Sequence, residues 1–236
     1  MRRPIASREK GWAKGAVQFL ASRGVSPNAV SGASVFWAFV AVLCLALAPR
    51  VETDAAEISL FLGAAVCIQL RLLCNLFDGM LAVEWGKGSA LGAIWNDFPD
   101  RPADVLILAG CGFAGCGFAG GPDAMPFLGF LAAMLALLTA YTRVLGAAIG
   151  GGEHFTGPMA KPQRMAVATV ACVLAALEVA FGAPHRAIFV ALSIIILGCI
   201  WTTARRLKLI ARELNARQTS NSTKNEAENQ TAETSA

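Results

Sequence analysis

The chain has 236 residues, of which 56% are hydrophobic and 15% charged, and its mean hydropathy is +0.55. A soluble domain carries about 25% charged residues, so charge this sparse, gathered between long apolar runs, excludes an ordinary water-soluble fold and makes lipid the solvent. The net charge of +4 implies no nucleic-acid partner, because the positive residues gather at the chain ends and in loops on one side of the apolar segments.

Residues 9–24 place Trp12, Ala16, Phe19 and Leu20 on one helical face, with Lys10 and Lys14 elsewhere. That pattern predicts an interfacial helix lying on an anionic membrane surface. Ser26-Pro27-Asn28 is a helix start signal and opens a first span over 28–48. The further spans are predicted over 58–77, 96–119, 125–149, 165–181 and 187–207, each near the roughly 20 residues that cross a hydrocarbon core. The fold class is therefore all-α, a polytopic bundle of about six transmembrane helices behind an N-terminal interfacial helix. Its organisation is 1–27 interfacial, 28–210 transmembrane, and 211–236 a polar tail whose Asn, Thr, Glu, Gln and Ser content predicts disorder.

Loop charges orient the bundle. Arg2, Arg3, Arg8, Lys10, Lys14 and Arg23 precede the first span, Arg205, Arg206, Lys208 and Arg212 follow the last, and Lys87, Lys161 and Arg164 lie in loops on the same side. Glu52, Asp54, Glu57 and Asp123 dominate the opposite loops. The positive-inside rule then puts both termini in the cytoplasm. No removable signal peptide is read at the basic start. The seven cysteines form no close pair and read as small buried apolar residues.

Polar residues crowd the region between the second and third spans: Arg71, Asn75, Asp78, Asn96, Asp97, Asp100, Arg101 and Asp104. Ionisable groups near membrane depth persist where they face a bundle interior or a wet cavity, so they mark a functional site. Arg71, Asn75, Asp78 and Ala82 fall at i, i+4, i+7 and i+11, on one helical face. Asn96, Asp100 and Asp104 fall at i, i+4 and i+8, again one face if the segment is helical. Facing helices that present oxygen ligands can hold a hard divalent cation, and Gly79 and Gly92 let a ligand approach the backbone. The competing structural reading is a polar loop whose aspartates cap the third span, which Pro99 and Pro102 favour locally.

Asp78-Gly79-Met80-Leu81-Ala82, then Gly92, then regularly spaced acids, resembles the signature of the CDP-alcohol phosphatidyltransferases, D-x-x-D-G-x-x-A-R-x8-G-x3-D-x3-D. The segment from Gly24 to Ser31 resembles the "(L/I)TPNxxT" stretch that opens that family's first span. The resemblance extends over about residues 9–210, and only the motif region is specific. The chain departs from the pattern at Asn75, where the first aspartate is expected, and at Val83, where the arginine is expected. Strict counting from Gly92 puts the last two acids on Asn96 and Asp100; a register longer by four residues puts them on Asp100 and Asp104, and we prefer it because it restores two carboxylates at the correct spacing.

The resemblance implies phosphoalcohol transfer, most simply of a phosphatidyl group, from a CDP-linked lipid or alcohol to an acceptor hydroxyl, with release of CMP, in phospholipid synthesis at a bacterial inner membrane. It implies two divalent ions, Mg2+ or Mn2+, held by Asp78, Asp100, Asn75, Asn96 and Asp104, with Asp104 (alongside Asp100) as the catalytic base. Gly79, Ala82, Gly92 and Arg71 would line the nucleotide. Arg143, inside the fourth span, with Lys161 and Arg164 from Gly157–Arg164, would bind the phosphate of an alcohol or polyol-phosphate acceptor, arginine being suited to bidentate contact. The resemblance also implies a homodimer, which the small residues of 109–120 would permit. Two other readings stay open: a degenerate member that binds CDP-lipid without turnover, and an ion-coupled transporter, against which the lack of a visible inverted repeat counts.

Overall fold

The structure is a computed structural model that describes residues 11–84, 91–116, 124–152, 154–183 and 186–234, without the side chains of 84, 93, 96 and 220–234. The first ten residues, the Lys87 loop, the 120–123 turn and the Asn96 side chain therefore lie outside the described residues. Among those described there are eight α-helices: α1 Gly11–Ser22, α2 Pro27–Leu47, α3 Asp54–Glu84, α4 Gly92–Asp97, α5 Asp100–Ala114, α6 Ala124–Ala148, α7 Lys161–Ala180 and α8 Ala187–Thr234. Five of them, α2, α3, α6, α7 and α8, are long and apolar enough to cross a membrane. The protein is a multi-pass helical membrane bundle.

The start signal acts as expected: Ser26 caps α2, its hydroxyl accepting from the Ala29 amide at 3.2 Å, and Pro27 takes the first helical position. The third predicted span is divided. A turn at Phe98-Pro99 separates α4 from α5, because Pro99 is better placed as the residue before α5 than inside a helix, and Pro102 sits in the first turn, where a missing N–H is harmless. Asn96 and Asp100 thus belong to different helices, and the face expected for Asn96, Asp100 and Asp104 can be followed only at Asp100 and Asp104, both on α5. At 15 residues, α5 is shorter than a full crossing on its own.

Side chains are sorted by size. Facing inward are Ala38, Ala41, Ala64, Ala103, Ala132, Ala136, Ala168 and Ala175, while Phe36, Phe39, Phe127, Phe130, Leu197 and Phe181 face out. Lipid tails are as apolar as leucine, so helices gain by close packing through small residues and leave bulk to the lipid. The α5–α6 crossing is the tightest instance. A Cβ on Gly112 would meet the Met125 carbonyl oxygen at 2.7 Å and the Gly129 Cα at 2.9 Å; one on Gly129 would meet the Gly112 Cα at 2.8 Å. Gly110 lies as close to Val42 of α2, at 2.8 Å. The small residues that permitted a dimer in the sequence are here spent, at Gly110 and Gly112, on packing within the chain.

At the N-terminus, α1 docks on the end of α3 through Ala13 and Val17, which join Val30, Leu76, Met80 and Leu81 in a second apolar cluster. Trp12 and Phe19 stay exposed, as an interfacial helix requires. At the other end, α8 continues as helix to Thr234, through the segment whose composition predicts disorder. Its Ala, Arg, Glu and Lys are good helix formers and extend a helix already nucleated in the span, although residues 215–219 gain no burial.

Gly112→Ala and Gly129→Ala should each lower the thermal midpoint in detergent, since overpacking costs about 1–3 kcal/mol. Gly32→Ala, where nothing lies within 4 Å of the missing Cβ, should leave the midpoint unchanged or raise it.

Candidate active site

Six helices end or begin on one side of the bundle, and their termini assemble the polar residues. On α3, Arg71, Asn75 and Asp78 share the expected face. The Asp78 Oδ2 accepts from the Ser31 hydroxyl of α2 at 2.6 Å, and the Asn75 Oδ1 accepts from the Ser34 hydroxyl at 2.9 Å. The Asn75 Nδ2 donates to the Asp100 Oδ1 at 2.8 Å, which joins the α3 face to the start of α5. Among the described residues the buried Asp78 Oδ1 has no hydrogen-bond partner.

Three aspartates then descend from the mouth into the bundle, with side-chain exposures of 43% for Asp97, 13% for Asp100 and 3% for Asp104. Each meets cations from other helices. Asp97 takes Arg143 of α6 at 2.8 Å and Arg101 on the same oxygen; Arg143 also lies 5.4 Å from the Phe155 ring centroid. Asp100 pairs through Oδ2 with Lys161 at the start of α7 and through Oδ1 with Arg71 at 3.3 Å. Asp104 is held on both oxygens, by Arg71 at 2.7 Å and by Arg164 of α7 at 2.7 Å. Arg164 also donates to the Thr139 hydroxyl at 3.0 Å and the Met159 carbonyl at 3.1 Å.

Asp97 lies outside the five membrane-length helices. Its partial burial acts to raise its carboxyl, but Arg101 and Arg143 outweigh that and hold it below the ordinary carboxylate range.

The geometry reorders the expected roles. Asp104 offers no open oxygen to an acceptor hydroxyl: it is the centre of a buried arginine clamp. Arg71 is wholly buried against Asp100 and Asp104, and Arg164 is buried against Asp104. Lys161 and Arg143 stand at the mouth. Gly79 and Ala82 occupy the last turns of α3, Gly92 begins α4, and Val83 is exposed where the family pattern has arginine. Among the described residues no three His, Cys, Asp or Glu side chains converge as a ligand set. Sequence reasoning passed over Ser31, Ser34 and Thr139; the signal for Ser31 was present, since it closes the motif that opens the first span.

No family model matches the chain. It is 29% identical to a phosphatidylinositol phosphate synthase of Streptomyces avermitilis over 198 residues, 83% of this chain and 76% of the relative. It is 30% identical to the inner membrane protein YnbA of Escherichia coli over 110 residues, 47% of this chain and 51% of that one. The fold is that of Mycobacterium tuberculosis phosphatidylinositol phosphate synthase, solved with manganese and citrate (TM-score 0.68, 16% identity, 84% of this chain and 88% of that one). A second structure of that enzyme, with CDP-DAG bound, matches at a TM-score of 0.66 and 17% identity, over 84% of this chain and 92% of the other.

The buried clamp sets a stability order. Asp104→Asn leaves Arg71 and Arg164 short of a counter-charge and should destabilise by roughly 3–5 kcal/mol, whereas Asp97→Asn at the mouth should cost under about 1 kcal/mol. Thermal unfolding in detergent checks the ranking. The synthase relative along most of the chain, the fold shared with the mycobacterial synthase, and the retained Asp78-Gly79…Ala82…Gly92…Asp100 pattern agree in what the chain is similar to, the CDP-alcohol phosphatidyltransferases.

Proposed function

We propose that the protein transfers a phosphatidyl group from a CDP-linked lipid to an acceptor hydroxyl, releasing CMP, at the cytoplasmic face of the membrane. The observation that carries this reading is the Asn75–Asp100 hydrogen bond, which brings the Asp78 helix face and the first acid of α5 into one network beside the part-exposed Lys161 and Arg143. In the reaction the acceptor oxygen bonds to the β-phosphorus, the pyrophosphate P–O bond breaks, CMP departs, and the hydroxyl proton passes to a carboxylate. We assign that proton to Asp100. It is the acid nearest the mouth within the network, and strict counting from Gly92 makes it the closing aspartate. Asp104, committed to two guanidiniums, is a structural residue in this reading.

The donor set suits one divalent ion better than two. Asp78, with its unpartnered Oδ1, and the Asn75 carbonyl would hold it, with Asp100 alongside. Such an ion neutralises the pyrophosphate oxygens as charge develops. Among the described residues a second ion lacks ligands, because Asn75 brings no charge and Asp104 is held by two arginines. Lys161 then has two duties: it balances Asp100 and offers an ammonium to the phosphate of a polyol-phosphate acceptor, with Arg143 beside it. The same Mn2+ that the mycobacterial enzyme was crystallised with is the natural probe.

The replacements at Asn75 and Val83 favour a second reading, a member that binds CDP-lipid without turning it over. A carrier is disfavoured by position: the acids lie at helix ends on one side, not at the bilayer midplane.

Purified protein in mixed micelles with CDP-diacylglycerol, Mg2+ and a panel of alcohols and polyol phosphates should release CMP, and Asp100→Asn should abolish release while keeping its fold. Metal-dependent binding with no CMP from any acceptor would establish the binding-only member. Lys161→Met should tighten Mn2+ binding, followed by paramagnetic resonance, by about tenfold, or about 1.4 kcal/mol, since the ammonium paired to Asp100 competes with the ion for that carboxylate. Arg143→Gln, removing a cation paired to Asp97 instead, should change it little.

A further inference from the structure

The basic residues around the aspartates are all paired: Arg71, Arg101, Arg143, Lys161 and Arg164 each hold a carboxylate. Three cations on α8 differ. Arg205, Lys208 and Arg212 are exposed and have no acidic partner among the described residues. With Trp201, Ala204 and Leu209 they line an open groove of about 400 Å3 along α8. Trp201, Arg205, Lys208 and Arg212 follow i, i+4, i+7 and i+11, one outward stripe, while Thr202, Arg206 and Ile210 on the opposite face are buried against the bundle. The indole, 66% exposed, stands inside the apolar part of α8 and the three cations just past it, so the stripe crosses the membrane boundary. Ile210 packs beside Gly146 and Gly151, and Thr202 beside Gly157, which puts the groove on the same membrane side as the aspartate site but on another face.

We infer that this groove binds the headgroup of an anionic membrane phospholipid. Tryptophan and leucine match the glycerol and upper acyl region, as interfacial aromatics do, and three unpaired cations converge where a phosphodiester lies. Two of the three are arginines, whose planar fork takes two phosphate oxygens at once. A zwitterionic lipid offers the same phosphate with its own ammonium beside it, and so gains less from the cluster. The groove shares no residue with the aspartate site, so the inference does not depend on the proposed reaction.

Trp201 supplies the readout. Full-length protein is reconstituted in phosphatidylcholine vesicles containing a minor fraction of brominated phosphatidylglycerol, or the same fraction of brominated phosphatidylcholine. The fluorescence quenched in wild type but not in Trp201→Phe reports the lipid at the groove. The expected result is enrichment of the anionic lipid on the order of tenfold, since each basic residue near the surface favours it several-fold. Arg205→Gln/Lys208→Gln/Arg212→Gln should return it to parity, and Arg212→Gln alone should lower it part-way; unchanged thermal unfolding of these variants shows that the fold is retained. Equal quenching by the two lipids overturns the inference. So does quenching by neither, which means that another protein surface covers the stripe. Loss of the anionic preference on adding soluble glycerol phosphate identifies a free phosphate ligand instead, and overturns the assignment to lipid.

Discussion

Neutralisation of Asp97, Asp100 and Asp104 by cations from α3, α6 and α7 is the interaction on which the rest of this protein turns. An ion taken out of water loses several kcal/mol of solvation even after relaxation, and the loss grows with depth. Each of the three meets two cations, and the deepest has one on each oxygen. Asp97 at the mouth shares one oxygen between two arginines; Asp100 has a lysine and an arginine; Asp104, the deepest, has a guanidinium on each oxygen. Because Arg71, Arg143, Lys161 and Arg164 come from three helices, the ladder fixes how those helices meet α5.

That geometry needs helices that approach closely, and the alanine and glycine interior provides it. It also needs the turn at Phe98-Pro99. An unbroken helix through 96–119 would carry Asp97 and Asp100 on a single rigid axis. Asp100 sits in the first turn of α5, where the helix dipole favours a carboxylate, and Asp97, at the end of α4, pairs with Arg143. The hydroxyls of Ser31, Ser34 and Thr139 fill the gaps between charges, as buried polar groups require.

Much of this was legible in the sequence, for physical reasons. Apolar runs locate the spans because lipid tolerates nothing else, and Ser26-Pro27 sets the start of α2. The α3 face of Arg71, Asn75 and Asp78 follows from helical periodicity alone. The site was less legible where partners are distant along the chain. Arg164 lies 60 residues from Asp104, and no local pattern distinguishes a cation that turns inward to an aspartate from one that waits for a substrate. The pairing of Arg164 with Asp104 is therefore visible only in the fold. The prolines of 99–102 carried the information that the third span is divided, but the acid spacing, periodic across the break, pointed the other way. The tail misled because low hydrophobicity predicts a lack of burial, which is correct for residues 215–219, and not a lack of helix.

The continuation of α8 past the membrane has a practical corollary. Arg206 reaches the Thr156 carbonyl at 3.0 Å and also the Thr139 carbonyl; Ile210 lies against Gly146 and Gly151; Glu213 faces His154 at 3.2 Å; and the Arg217 side chain passes close to Gly150. These contacts brace the loop that delivers Lys161 and Arg164, so the end of the chain works as a buttress for the catalytic side. An affinity tag joined after Thr234 leaves that buttress whole, whereas a shortened version ending before Ile210 would remove the prop and let the lysine drift from its aspartate.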